Sequence, residues 1–255
     1  MTFTAEHTAT ARTLQLLDPR RYTRLASADH GYCDLLGDDS PRVDSIAQRL
    51  MRTRFYAALY QHGRPVGLRL ASGLNAPGRD GGRARVASWL GLRADATVLD
   101  IGCGPGNFTG WFGTQVGAGG LAVGVDASHS MLRRAVADNS GPNVAYLRGD
   151  AENLPFADGV ADAVSCLAAL YLINDPFRAV GEIARVLKPG GRVVLLTSLI
   201  PGGTRTAVRS AVLDRLGGIR WFGRAELTRF VAELGFTGIQ QHISGLSQTV
   251  VAVKT

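Results

Sequence analysis

The chain has 255 residues, 45% of them hydrophobic, and a formal net charge of +7. That length fits one large domain or a domain with an appendage, and the apolar share is ordinary for a globular protein. No apolar run is long enough to span a bilayer, the start MTFTAEHTATARTLQLL does not read as a secretory signal, and Cys33, Cys103 and Cys166 show no paired spacing. A membrane protein and a cysteine-bound zinc site are therefore not expected, and the reading favours a cytoplasmic protein without a metal. The positive charge is nearly all Arg, with only Lys188 and Lys254 as lysines, and it is spread along the chain. A diffuse basic surface is expected rather than a nucleic-acid groove.

In chain order, residues 10–17 predict a short helix ending before Pro19, and 30–41 read as loop. Residues 45–60 carry Ile46, Leu50, Phe55, Ala58 and Leu59 at helical spacing, with Asp44 or Ser45 as a cap. NAPGRDGG, 75–82, punctuates the chain before a helix over 83–90. Residues 1–85 thus read as a mainly helical N-terminal cap, and 86–255 as a second unit. That second unit alternates strand and helix. Strands are predicted near 97–101, 121–126, 143–148, 161–166 and 191–197, and helices near 107–116, 128–138, 175–187 and 224–234. The tail FTGIQQHISGLSQTVVAVKT reads as two strands around a turn at Ser244–Leu246.

The stretch VLDIGCGPGNF, 98–108, carries the most information. A strand ending in Asp100 breaks into Gly102, Gly104 and Gly106 before a helix, so a ligand can approach bare backbone. Asp126 and Asp150 close the next two apolar runs, placing three acids along one strand edge. A dinucleotide fingerprint needs its third glycine where Asn107 stands, and Asp100 would repel a pyrophosphate. The pattern D-x-G-x-G-x-G instead resembles motif I of the class I S-adenosylmethionine (SAM)-dependent methyltransferases. Asp126-Ala127-Ser128, GDAENLPF (149–156) and LKPGGRVVL (187–195) resemble that family's following motifs in order. Among its members the chain is most similar to methyltransferase type 11 and quinone-biosynthesis methyltransferases.

The resemblance implies a Rossmann-like seven-stranded α/β sheet, with SAM as cofactor and S-adenosylhomocysteine (SAH) as product. It implies cofactor contacts at Asp100, Gly102, Cys103, Gly104, Asn107, Asp126, Ala127, Met131, Asp150, Ala151 and Leu167. Asp126 would accept from the ribose hydroxyls and Asp150 from the adenine amino group. Met131 would cover the adenine face or pack in the core. Asn107 would cap its helix or touch the methionine moiety, and Cys103 is a small spacer. The segment SCLAALYLINDP should border the methyl group, yet it has Ala169, Leu170 and Tyr171 where related quinone enzymes carry His. Tyr171 is the local candidate for catalysis, with His30 and His62 as further ones. Asn174-Asp175-Pro176 reads as a helix start rather than an amine-binding motif. The expected partner is a small-molecule methyl acceptor in secondary metabolism, bound by the N-terminal cap through Tyr22, Tyr32, Phe55, Tyr56 and Tyr60. The alternatives are a non-methylating SAM-fold protein, either a cyclase or a partner subunit, and an RNA methyltransferase.

Overall fold

The computed structural model describes residues 3–22, 30–37, 79–200 and 219–255. Its strands, in chain order, are β1 (Cys33–Asp34), β2 (Thr97–Ile101), β3 (Leu121–Asp126), β4 (Val144–Arg148), β5 (Ala161–Leu167), β6 (Leu187–Ser198), β7 (Phe236–Ser244) and β8 (Ser247–Lys254). Its helices are α1 (Phe3–Gln15), α2 (Arg79–Leu90), α3 (Thr109–Gln115), α4 (His129–Asn139), α5 (Pro176–Val186) and α6 (Glu226–Glu233). The strands lie side by side in the order β1-β4-β3-β2-β5-β6-β8-β7. All run parallel except β8, which is antiparallel to β6 and β7.

The central strands are apolar without interruption because both faces of the sheet are covered. β2 shows the alternation. Val98 packs with Phe112 of α3, with Val116 just after it, and with Val86 and Leu90 of α2. Leu99 and Ile101 point the other way, into the core shared with α1, α5 and α6. From β2 the chain steps outward through β3 to β4, then returns to place β5 on the far side of β2. The order therefore reverses between β2 and β5, and ligands of open α/β sheets bind beyond the strand carboxyl ends at such a reversal. Helix starts follow the sequence. Ser128 caps α4 by accepting from the Met131 N–H, and Asp175 caps α5 by accepting from the Arg178 N–H with Pro176 in the first turn.

The N-terminal part departs from expectation. α1 begins at Phe3 rather than at Thr10, and Ala9 and Leu17 belong to the main core. The Arg12 guanidinium donates to the carbonyls of Gly119 and Gly120, ahead of β3. Residues 33–34 lie in a stretch that reads as loop, yet they add an eighth strand: Cys33 pairs with Leu147 and Asp34 with Arg148. The described residues before 38 are thus built into the sheet and its covering layer. The helix expected over 45–60, with Phe55, Tyr56 and Tyr60, and also His62, lies outside the described residues, as do 201–218.

Candidate functional site

The three glycines after β2 all have positive φ, but they face different surroundings. A Cβ on Gly102 would sit 2.3 Å from the Ala169 Cβ, and one on Gly106 would sit 2.3 Å from the Tyr146 hydroxyl. Those two glycines let the turn close against the protein. A Cβ on Gly104 would meet nothing within 4 Å. Gly104 alone of the three presents bare backbone to open space, as a ligand cradle requires.

Asp126 joins the turn to the neighbouring strand. Its Oδ2 accepts from the Gly104 N–H at 2.8 Å and its Oδ1 from the Ser128 N–H at 2.8 Å. Its carbonyl accepts from the Gly149 N–H at 3.2 Å, and the Val125 carbonyl takes the N–H groups of Gly102 and Cys103. The carboxyl ends of β2, β3 and β4 are therefore tied together at one residue. Asp100 is nearly fully buried, with Oδ1 accepting from the Ser165 hydroxyl and Oδ2 from the Thr109 hydroxyl, both at 2.7 Å. Its carboxylate clamps β2 to β5 and to the start of α3. Asp150 accepts from the Glu152 N–H at 2.9 Å and lines a cavity of about 750 Å³.

The remaining expected residues fall around this edge. Cys103 packs near Tyr146 and the backbone of Gly124. Burial, with the carboxylates of Asp126 and Asp100 beside it, pushes its thiol well above the ordinary range, so it stays protonated. Asn107 precedes the cap position of α3, which Phe108 fills without a side-chain bond, so Asn107 does not cap the helix. Ala127 is half-buried, and its carbonyl accepts from the Arg148 Nε at 3.1 Å. Met131 is buried in the first turn of α4. Ala151 packs at the margin of the main core, and Leu167 at the end of β5 packs against the opposite one.

Tyr171 lies in a single turn of 3-10 helix after β5, packed against the main core, and its carbonyl accepts from the Arg220 N–H. His30 stands 5.9 Å from the Tyr32 ring, beside β1. β4, β3 and β2 separate that edge from β5, so His30 is remote from the segment expected to border the reacting group. Among the described residues, no group of three or more His, Cys, Asp or Glu is placed to hold a metal ion.

Two features of this edge escape a sequence reading. Ala168, directly after β5, has φ +61° and is the one non-glycine residue with positive φ among the described residues. Left-handed alanine is strained, and such strain collects at functional turns. Here it turns the chain so that Ala169 meets Gly102. The second feature is the buried Arg148 of β4, whose guanidinium reaches Asp34 at 3.0 Å, the Gly37 carbonyl at 2.6 Å and the Ala127 carbonyl. Burial alone would raise the Asp34 carboxyl; the N–H groups of Gly37 and Leu36 and the Arg148 charge outweigh it and hold it below its usual range.

Comparison with known proteins agrees with this geometry. Residues 99–195 match the family model described as a methyltransferase domain. The chain is 41% identical over 110 residues to a ubiquinone/menaquinone biosynthesis C-methyltransferase, UbiE, of Hahella chejuensis, covering 42% of this chain and 44% of that protein. It is 36% identical over 122 residues to a demethylmenaquinone methyltransferase of Lactococcus lactis, covering 47% and 48%. It therefore spans about half the length of these curated relatives. Among solved structures, the YcgJ protein of Bacillus subtilis aligns with a TM-score of 0.57 at 21% identity, over 69% of this chain and 99% of that one. Phosphoethanolamine N-methyltransferase 2 of Haemonchus contortus, solved with SAM, aligns with a TM-score of 0.66 at 18% identity, over 83% and 60%. Residues 99–195 are a methyltransferase domain, set in a chain with the Rossmann-like fold of the class I methyltransferases.

Proposed function

We propose that this protein is a SAM-dependent methyltransferase acting on a small molecule. The observation that carries this reading is the open face of Gly104, hydrogen-bonded to Asp126 at the reversal of strand order. A glycine with nothing within 4 Å of its missing Cβ fits a ligand lying on the backbone, and the adjacent carboxylate fits ribose hydroxyls. The Asp126 oxygens accept the Gly104 and Ser128 N–H groups in this structure, and a carboxylate oxygen can accept from more than one donor. Asp150 fits an adenine amino group in the same way.

The cofactor supplies an electrophilic methyl group on a sulfonium. The task left to the chain is alignment and exclusion of water. The turn 102–106 and the strained loop at Ala168 would hold the methionine end, with Asp100 keeping that turn against β5. An acceptor that must lose a proton needs a base. Tyr171 is the candidate on the β5 side.

The relatives named for quinone biosynthesis make an aromatic or quinone-like carbon acceptor the first class to try; an acceptor in secondary metabolism is the finer reading. Incubation of the pure protein with methyl-labelled SAM and either extract of the source cells or RNA tests the proposal. Label in an extractable small molecule supports it. Label in RNA, or SAM binding with no transfer to any fraction, overturns it in favour of an RNA methyltransferase or a non-methylating protein.

A further inference from the structure

We infer that the N-terminal arm, through Tyr22, Leu35 and Leu36, walls the adenine end of the cofactor site rather than serving only the acceptor. The inference rests on the SAM-binding reading above and on Asp150 as the adenine acceptor. The cavity of about 750 Å³ beyond β4 is lined by Gly149, Asp150 and Asn153 together with Tyr22, Leu35 and Leu36. Its volume lies within the range of small-molecule pockets, and Tyr22, Leu35 and Leu36 give apolar surface for a flat heterocycle in the cavity that the Asp150 carboxylate lines.

The arm is fixed in place by specific bonds. Asp34 pairs with Arg148, and its Oδ1 also accepts from the N–H groups of Leu36 and Gly37 at 3.0 Å, a tight turn that sets Leu35 and Leu36. Arg148 in turn holds the carbonyl of Ala127, beside the proposed ribose acceptor Asp126. Tyr22 follows a 3-10 turn, Pro19–Arg21, which Asp18 caps through the Arg20 N–H.

The cavity also contains Arg20, Arg21 and Arg185, but it does not fit an anion. Arg20 is held by both oxygens of Asp18. Arg21 is held by Glu182, and Arg185 by Glu182 and Asp158. The cations are neutralised by acids at the same mouth. A neutral heterocycle is the better fit.

Calorimetry with SAH and with adenosine, on the full chain, tests this without any knowledge of the acceptor. Leu36→Asp puts a further carboxylate into the cavity and removes apolar contact, and it should weaken both ligands by about tenfold or more, by a similar factor. Tyr22→Ala, which leaves the Asp34 turn intact, should weaken both several-fold. If both folded variants bind SAH as the wild type does while Asp126→Ala does not, the arm is no part of the cofactor site and the inference is overturned alone. If the wild type binds neither SAH nor adenosine, the cofactor reading itself fails and the inference with it.

Discussion

The two ends of the sheet's carboxyl edge are built in different ways. At the β2–β5 end, backbone meets backbone: Gly102 lies against Ala169, Ala168 is left-handed, and Asp100 ties both sides through short hydroxyl bonds. At the β4–β1 end, side chains far apart in sequence close the structure: Arg148 binds Asp34 across 114 residues, and the Tyr32 hydroxyl meets His129 Nδ1 across 97. The first end depends on close backbone approach at Gly102, the second on paired charged and polar side chains. Substitutions should therefore fail at the first by steric clash and at the second by leaving a charge or a polar group unpaired.

The largest expected effect is at Gly102. Gly102→Val would drive a branched side chain into the Ala169 Cβ, 2.3 Å from its own Cβ, at φ +68°. Strain and clash together should cost roughly 3 kcal/mol or more of stability, measured by chemical denaturation. Asp34→Ala is next. It leaves the buried Arg148 without its carboxylate, and loss of one partner of a buried pair costs about 3–5 kcal/mol. If the variant unfolds at the same denaturant concentration as wild type, the arm does not clamp the sheet edge.

Asp126→Ala should weaken SAH binding by about 2–4 kcal/mol through lost charge-assisted bonds. Part of that loss would come from release of the Gly104 N–H, so the turn itself should loosen. Isothermal calorimetry reads the affinity, and amide exchange at Gly104 reads the turn.

A smaller effect concerns pH at the β1 edge. Burial, with Arg148 nearby, lowers the His129 pKa, and Asp34 also sits below its usual range. Both depressed values act with the same sign. As pH falls below about 6.5, unfolded His129 takes up a proton that the folded form resists, so stability declines. The Asp34 contribution is complete above about 3.9 and is lost as pH falls through its lower folded value. Urea midpoints should therefore drop between pH 7 and pH 5, and His129→Gln should flatten that drop. An unchanged slope in His129→Gln would remove His129 from the network. The smallest effect on stability is expected from Tyr171→Phe: its ring packs against the core, so stability should hold while methyl transfer falls by about a hundredfold or more if the hydroxyl acts as a base.

The same contrast explains what the sequence discloses. Strands β2 to β4 are legible because continuous apolar runs end in Asp100, Asp126 and Arg148-Gly149-Asp150. The cap at Asp175 and the hairpin around Gly245 are legible because the needed residue types are local. β1 is not. Two residues, Cys33 and Asp34, carry no periodicity, and their partners lie in β4. Ala168 is hidden because alanine gives no sign of a left-handed turn, which tertiary contacts impose. Arg148 looks like an ordinary strand residue until Asp34 is placed against it. Asp100, read from sequence as a cofactor contact, has hydroxyl partners supplied by Thr109 and Ser165, and only the packed sheet brings Ser165 near.

The most direct test of the cofactor reading is SAH calorimetry on wild type and Gly104→Val side by side. The open surroundings of Gly104 leave room for a folded valine variant, at the cost of its φ of +54°. The account predicts that wild type binds SAH and that the folded variant does not. A folded Gly104→Val protein with wild-type affinity would contradict it and place the cofactor away from this turn.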